Sequence, residues 1–111
     1  MGKLTEATIQ RVIDTVVRET NPEMVYVFGS YGRGDANETS DLDILIVERD
    51  EFGEDHSRWS ELKRIRKALS EFRVSKDIVV ISVGEFEYWK GSSVHLVSHA
   101  IRDGRLLYAR S

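Results

Sequence analysis

Cysteine is absent from the chain, which excludes disulfides and thiolate metal sites and removes any pointer to an oxidising compartment. No apolar run approaches the length needed to cross a bilayer, and the N-terminal stretch lacks the apolar core of a secretory leader. A cytoplasmic protein without a membrane role is expected. Positive charge is not in excess: the formal net charge is -3, whereas free-standing nucleic-acid binders carry a basic footprint. Direct nucleic-acid binding is therefore not expected. The one basic cluster, Lys63, Arg64, Arg66 and Lys67, reads as the solvated face of a helix, with a phosphate or acidic-partner patch as the lesser reading.

The 111 residues suit one domain spanning 1–111, and 41% hydrophobic with 32% charged residues is a globular balance with room for a small core. Ile9, Val12, Ile13, Val16 and Val17 recur at helical spacing, predicting a first helix over roughly residues 4–20 that the only proline, Pro22, stops. Met24 to Phe28 is a buried strand bounded by Gly29. A polar, glycine-broken stretch follows, able to open with one helical turn, before a second buried strand from Leu42 to Val47. Trp59, Leu62, Ile65, Leu69 and Phe72 predict the inner stripe of a second helix, and Asp77 to Ser82 a third strand. Ser92 or Ser93 is expected to cap a last helix carrying Val94, Val97 and Ile101, stopped by Gly104, with a short edge strand at Leu106 to Tyr108. The order α-β-β-α-β-α implies an α/β (α+β) fold: a small mixed sheet with helices packed on it.

Three features carry chemistry. Gly29-Ser30 ends a buried strand, where glycine lets the backbone turn and approach a ligand; Ser30 is expected to cap the next turn and leave N–H groups facing an anion such as a polyphosphate. Asp41 and Asp43 are two apart, so in a strand both carboxylates project to one side while Leu42 and Ile44 face the other. Such like charges repel unless a divalent cation joins them, and oxygen-only ligands favour Mg²⁺. Asp77 heads another apolar strand, which a neighbouring position would bring to the same edge. Singly, each also fits a plain turn, a solvated strand start or a cap.

Together, Gly29-Ser30, ten residues and Asp41-Leu42-Asp43 in an apolar strand resemble the signature of the DNA polymerase β-like nucleotidyltransferase superfamily. Within it the chain most resembles the minimal nucleotidyltransferases, small prokaryotic proteins often paired with a HEPN partner as antitoxin and toxin. The resemblance implies that Gly29 and Ser30 contact the triphosphate of ATP and that Arg33 steadies phosphate. It also implies that Asp41, Asp43 and Asp77 are catalytic and hold two Mg²⁺ ions, Asp77 helping to deprotonate the acceptor hydroxyl. Gly32 departs from the family pattern, where alanine is expected, and should loosen the turn.

The implied activity is transfer of AMP to a hydroxyl, a tyrosine by resemblance, of a HEPN-type toxin, within a homo- or hetero-oligomer. The alternative is an antitoxin that neutralises its partner by contact alone. A transferase acting on a small molecule is disfavoured because no substrate domain is evident. His95 and His99 share a helical face but lack a third ligand and read as structural. Trp59 is expected in the core; Tyr88 and Trp89 suit either core or partner surface, and Tyr31 either base stacking or plain exposure. The glycines match neither a P-loop nor a dinucleotide fingerprint.

Overall fold

In the computed structural model, which describes residues 3–110, the Thr5 hydroxyl opens the first helix, α1 (Glu6–Thr20), by accepting a hydrogen bond from the Thr8 amide. That satisfies a first-turn N–H left without a partner inside the helix. Asn21 closes α1 in the left-handed region at φ 48° and returns its N–H to the Val17 carbonyl, with Pro22 blocking continuation. Then follow β1 (Met24–Phe28), α2 (Gly29–Arg33), β2 (Leu42–Glu48), α3 (Arg58–Ala68), β3 (Lys76–Ser82), α4 (Val83–Trp89), α5 (Leu96–Asp103) and β4 (Arg105–Ala109).

The four strands form one sheet in the order β3-β2-β1-β4. β2 and β3 run parallel, joined across α3, while β1 is antiparallel to both β2 and β4, so the sheet is mixed as expected. Side-chain alternation sorts the core into two layers. Val25, Val27, Leu42, Ile44, Ile46, Ile78 and Val80 pack under α1 and α3. Leu45, Val47 and Ile81 face the other way and pack with Phe86 of α4 and Val97 and Ala100 of α5. No helix among the described residues is long and apolar enough to cross a membrane.

Several sequence expectations need correction. Helix α4 was not anticipated, although Ser82 and Glu85 form a reciprocal capping box that the Ser-x-x-Glu spacing announces. Helix α5 is capped by His95, which accepts from the Val97 amide, rather than by Ser92 or Ser93. Val94 therefore lies outside the helix and Ile101 on its outer side, both exposed. Trp59 is 65% exposed rather than core, because the inward position one turn before Ile65 belongs to Glu61. Phe72 is buried, but beyond the end of α3.

Glu61 is accommodated there by a small charge network. It accepts two hydrogen bonds from Arg64 (2.7 and 3.0 Å), which also donates to the Glu19 carbonyl at the end of α1. Glu48, at the far end of β2, is buried beside it. Burial, then the hydrogen bond and charge of Glu61, push the Glu48 carboxyl up to about 8. For Glu61, burial is outweighed by the hydrogen bonds with Glu48 and Arg64, and its pKa falls below the usual range. Arg64 thus ties α3 to α1, while Lys63, Arg66 and Lys67 remain exposed, as a solvated face requires.

Candidate active site

The strand register puts Phe28, Asp43 and Asp77 in one row across β1, β2 and β3. Directly opposed residues share a sheet face, and neighbouring strands lie about 4.8 Å apart. Asp43 and Asp77 therefore emerge side by side on the face that carries α4 and α5. Asp41 and Asp77 are exposed and Asp43 is partly buried. The Asp43 carboxyl is raised above its ordinary value by burial first, then by the charges of Asp77 and Asp41, with Arg33 pulling the other way. The three aspartates and Arg33 thus share one electrostatic neighbourhood.

Gly29 stands directly over this row. Its φ of +64° lies in the left-handed region, which side chains rarely adopt. A Cβ there would collide with Oδ2 of Asp43 and stand 3.1 Å from its Cγ. The positive φ is what calls for glycine, while the close contact is with the movable end of the Asp43 side chain, which a methyl at position 29 would push aside. Without a side chain there, the Asp43 carboxylate lies next to the bare backbone of the β1–α2 turn. Ser30 does not cap that turn as expected. The N-cap position belongs to Phe28, no side chain caps α2, and the Ser30 carbonyl instead accepts from Gly34 and Asp35 at the helix end. Its first-turn amides consequently have no capping side chain to displace. Arg33 is exposed and loosely paired with Asp35 at 3.3 Å, so its guanidinium can turn to another anion at little cost.

Two residues of the turn behave differently from the sequence expectation. Gly32 does not loosen it: a Cβ there would lie 2.7 Å from the Val27 carbonyl oxygen and 3.1 Å from Cα of Gly104. Glycine lets α2 settle onto β1 and the α5–β4 junction, and alanine would hold it off. Tyr31 is neither exposed nor free to stack on a base. It is buried in the α1 layer, and its hydroxyl accepts from the Leu4 amide at 3.0 Å.

Among the described residues no three acidic or histidine side chains are grouped so that they could hold an ion, so the expected convergence of Asp41, Asp43 and Asp77 is not seen as a closed metal site. Mg²⁺ asks for less, since that ion takes one or two protein carboxylates and completes its shell with water and substrate phosphate. The raised Asp43 carboxyl, crowded by two like charges, fits a cation chemically, because a cation removes the penalty of ionising it. Beside the strand starts, a cavity of about 240 Å³ is lined by Tyr31, Glu38, Thr39, Ser40, Arg73 and Ser75, among others. His95 and His99 keep structural roles: His95 caps α5 and stacks on Trp89, and His99 contacts Arg102.

Residues 9–104 match the family described as nucleotidyltransferase domain, and the chain belongs to that family. It is a nucleotidyltransferase. A Methanocaldococcus jannaschii protein provisionally named protein adenylyltransferase MJ0435 is 35% identical over 74 residues, covering 67% of this chain and 73% of its own length. Among solved structures, a provisionally named nucleotidyltransferase from Sulfolobus solfataricus superposes with a TM-score of 0.63 at 24% identity, over 94% of this chain and 79% of its own. A chain from the complex of a tri-AMPylated Shewanella oneidensis HEPN toxin with its MNT antitoxin gives 0.61 at 19% identity, over 96% and 74%. Both structures share the fold.

Proposed function

We propose that this nucleotidyltransferase moves AMP from ATP, with Mg²⁺, onto a hydroxyl of a partner protein in the cytoplasm, and that the partner is a HEPN-type toxin which the modification silences. The observation that carries the reading is the Phe28–Asp43–Asp77 row with the bare turn of Gly29 above Asp43. It is supported by the adenylyltransferase name of the M. jannaschii relative and by the AMPylated toxin in the Shewanella complex.

Each residue has a role in this reading. The backbone at Gly29 and Ser30 receives the triphosphate tail, and Arg33 balances its charge. Asp41, Asp43 and Asp77 are the residues that would hold magnesium, which when bound would supply charge neutralisation and lower the pKa of the acceptor hydroxyl. Asp77, at the sheet's edge, faces the incoming acceptor and takes part in removing its proton. The acceptor oxygen bonds to the α-phosphorus as the bond from that phosphorus to the β-bridging oxygen breaks. Pyrophosphate leaves with the electron pair, and the hydroxyl proton passes by way of Asp77 to solvent.

Incubation with each α-labelled triphosphate and Mg²⁺, with the partner co-expressed from the same host, tests the reading. Label from ATP should become covalently attached to the partner, and Asp43→Asn should abolish it. A protein that silences the partner while all label stays in the triphosphate would instead be an antitoxin acting by contact.

A further inference from the structure

The acceptor has to reach Asp77, and β3, which carries it, is an edge strand among the described residues: it pairs with β2 alone. The Leu42 amide donates to the Ser75 carbonyl at 2.9 Å while Leu42 is registered opposite Lys76. In a parallel ladder this means that the odd residues of β3 turn their peptide groups toward β2, and the even residues, Lys76, Ile78, Val80 and Ser82, turn theirs out of the sheet.

The outer half of that edge is closed. Arg58 reaches from the start of α3 to donate to the Val80 carbonyl at 2.8 Å, and is itself locked by two hydrogen bonds to Glu85 (2.6 and 3.0 Å) and by stacking over the Phe52 ring. The Ser82 amide is taken by Glu85 in the capping box. A charged plug of this kind is how proteins stop an edge from pairing. The inner half has no such plug: the outward peptide groups of Lys76 and Ile78, flanking Asp77, have no hydrogen-bond partner among the described residues. The Lys76 side chain does not cover them, because its ammonium is turned back to the Phe72 and Val74 carbonyls (2.7 and 3.0 Å). At the other edge the β1–β4 register slips between Val25 and Tyr26.

We propose that the acceptor polypeptide docks as a short extended strand on the Lys76–Ile78 edge of β3, its peptide groups pairing with those two residues so that its hydroxyl is delivered beside Asp77. The occupant is a peptide segment rather than a free small molecule, because the unpaired groups are a backbone donor and acceptor on either side of the carboxylate, which is the pattern an added strand satisfies. Arg58 limits the segment to about three residues at 3.3 Å per residue, so recognition is of conformation more than of sequence. The inference rests on the transferase reading of Asp77.

The test compares Lys76→Pro with Lys76→Met in the full chain. Both lose the ammonium, but only proline also removes the outward N–H, at a strand-start position where proline is otherwise tolerated. The probes are acetyl-Thr-Tyr-Thr-amide, its analogue N-methylated at all three residues, and acetyl-tyrosine-amide, each with α-labelled ATP and Mg²⁺. AMP release to water is followed in parallel as a readout of the nucleotide site. Docking on the edge predicts that the tripeptide is labelled at least tenfold faster than the other two probes, and that Lys76→Pro loses at least tenfold of this relative to Lys76→Met with AMP release equal. The amide resonances of Lys76 and Ile78 should shift on adding the tripeptide. Equal labelling of all three probes, equal transfer by the two variants, or unshifted amides would overturn the edge proposal while leaving a working nucleotide site. Absence of both AMP release and labelling in the wild type would overturn the transferase reading and this one with it.

Discussion

The backbone of Gly29 lies against the carboxylate of Asp43 so closely that a Cβ at position 29 would have to displace it. One residue opens α2 and the other sits in β2, yet neither position makes sense alone. Glycine adopts the left-handed turn without strain, and it leaves a strip of backbone uncovered beside Asp43, where the proposed function places phosphate and cation.

Gly29→Ala should therefore damage function far more than folding. The left-handed conformation costs an alanine about 1–2 kcal/mol, and the added methyl must displace Asp43. A melting curve should show a folded but less stable protein. Transfer of label from α-labelled ATP should fall roughly 100-fold, as expected for misplacement of a catalytic group by about 1 Å.

Asp43→Asn should separate stability from activity in the opposite sense. The Asp43 carboxyl is raised by burial and by Asp77 and Asp41, so its stabilising contribution is present below the ordinary carboxylate range and lost as pH rises through its raised pKa. At neutral pH without metal the ionised group is a cost. The variant should accordingly melt higher than wild type in chelator, Mg²⁺ should raise the melting temperature of the wild type but not of the variant, and the variant should transfer no AMP.

Glu48 sets a second pH dependence, remote from the aspartates. With its pKa pushed up to about 8, the protonated, hydrogen-bonded form contributes stability that is complete below the ordinary glutamate range and lost as pH rises through about 8. Arg64, Glu61, His56 and Asp50 are the charged or titratable neighbours, facing it from α3 and from the loop after β2. Melting temperature should decline between pH 7 and 9 in the wild type, and Glu48→Gln, which keeps a neutral hydrogen-bonding group, should flatten that decline.

At position 32 the family-like residue should be harmful. Gly32→Ala pushes a methyl against the Val27 carbonyl and Gly104, an overpacking cost of about 1–3 kcal/mol. Chemical denaturation should show that loss. The KM for ATP should rise with it, since α2 carries Ser30 and Arg33.

How much of this was legible in the sequence follows from what each feature depends on. The strand of Met24 to Phe28, the strand that carries Asp43 and the start of β3 near Asp77 are local patterns, and alternation alone exposes them; Asp41, expected in the same strand as Asp43, falls just before β2. That Asp77 stands opposite Asp43 depends on strand order, which no local pattern encodes; the family resemblance supplied the expectation and the register of β2 with β3 shows the juxtaposition. Tyr31 was misjudged because its partner, the Leu4 amide, is remote in sequence. Trp59 was misjudged because a buried glutamate displaced an aromatic from the inner stripe, and what makes Glu61 tolerable there is Glu48 and Arg64. The role of Gly32 rests on backbone approach by Gly104 and was invisible without coordinates.

The most direct measurement is a titration with Mn²⁺ and ATP followed by paramagnetic broadening of backbone amide resonances, Mn²⁺ standing in for Mg²⁺ at oxygen ligands. The account predicts that Gly29, Asp43 and Asp77 broaden first, at substoichiometric metal, and that Asp43→Asn abolishes the effect. Broadening centred instead on the acidic loop between Glu48 and Asp55, with the Asp43 and Asp77 signals unchanged, would contradict it.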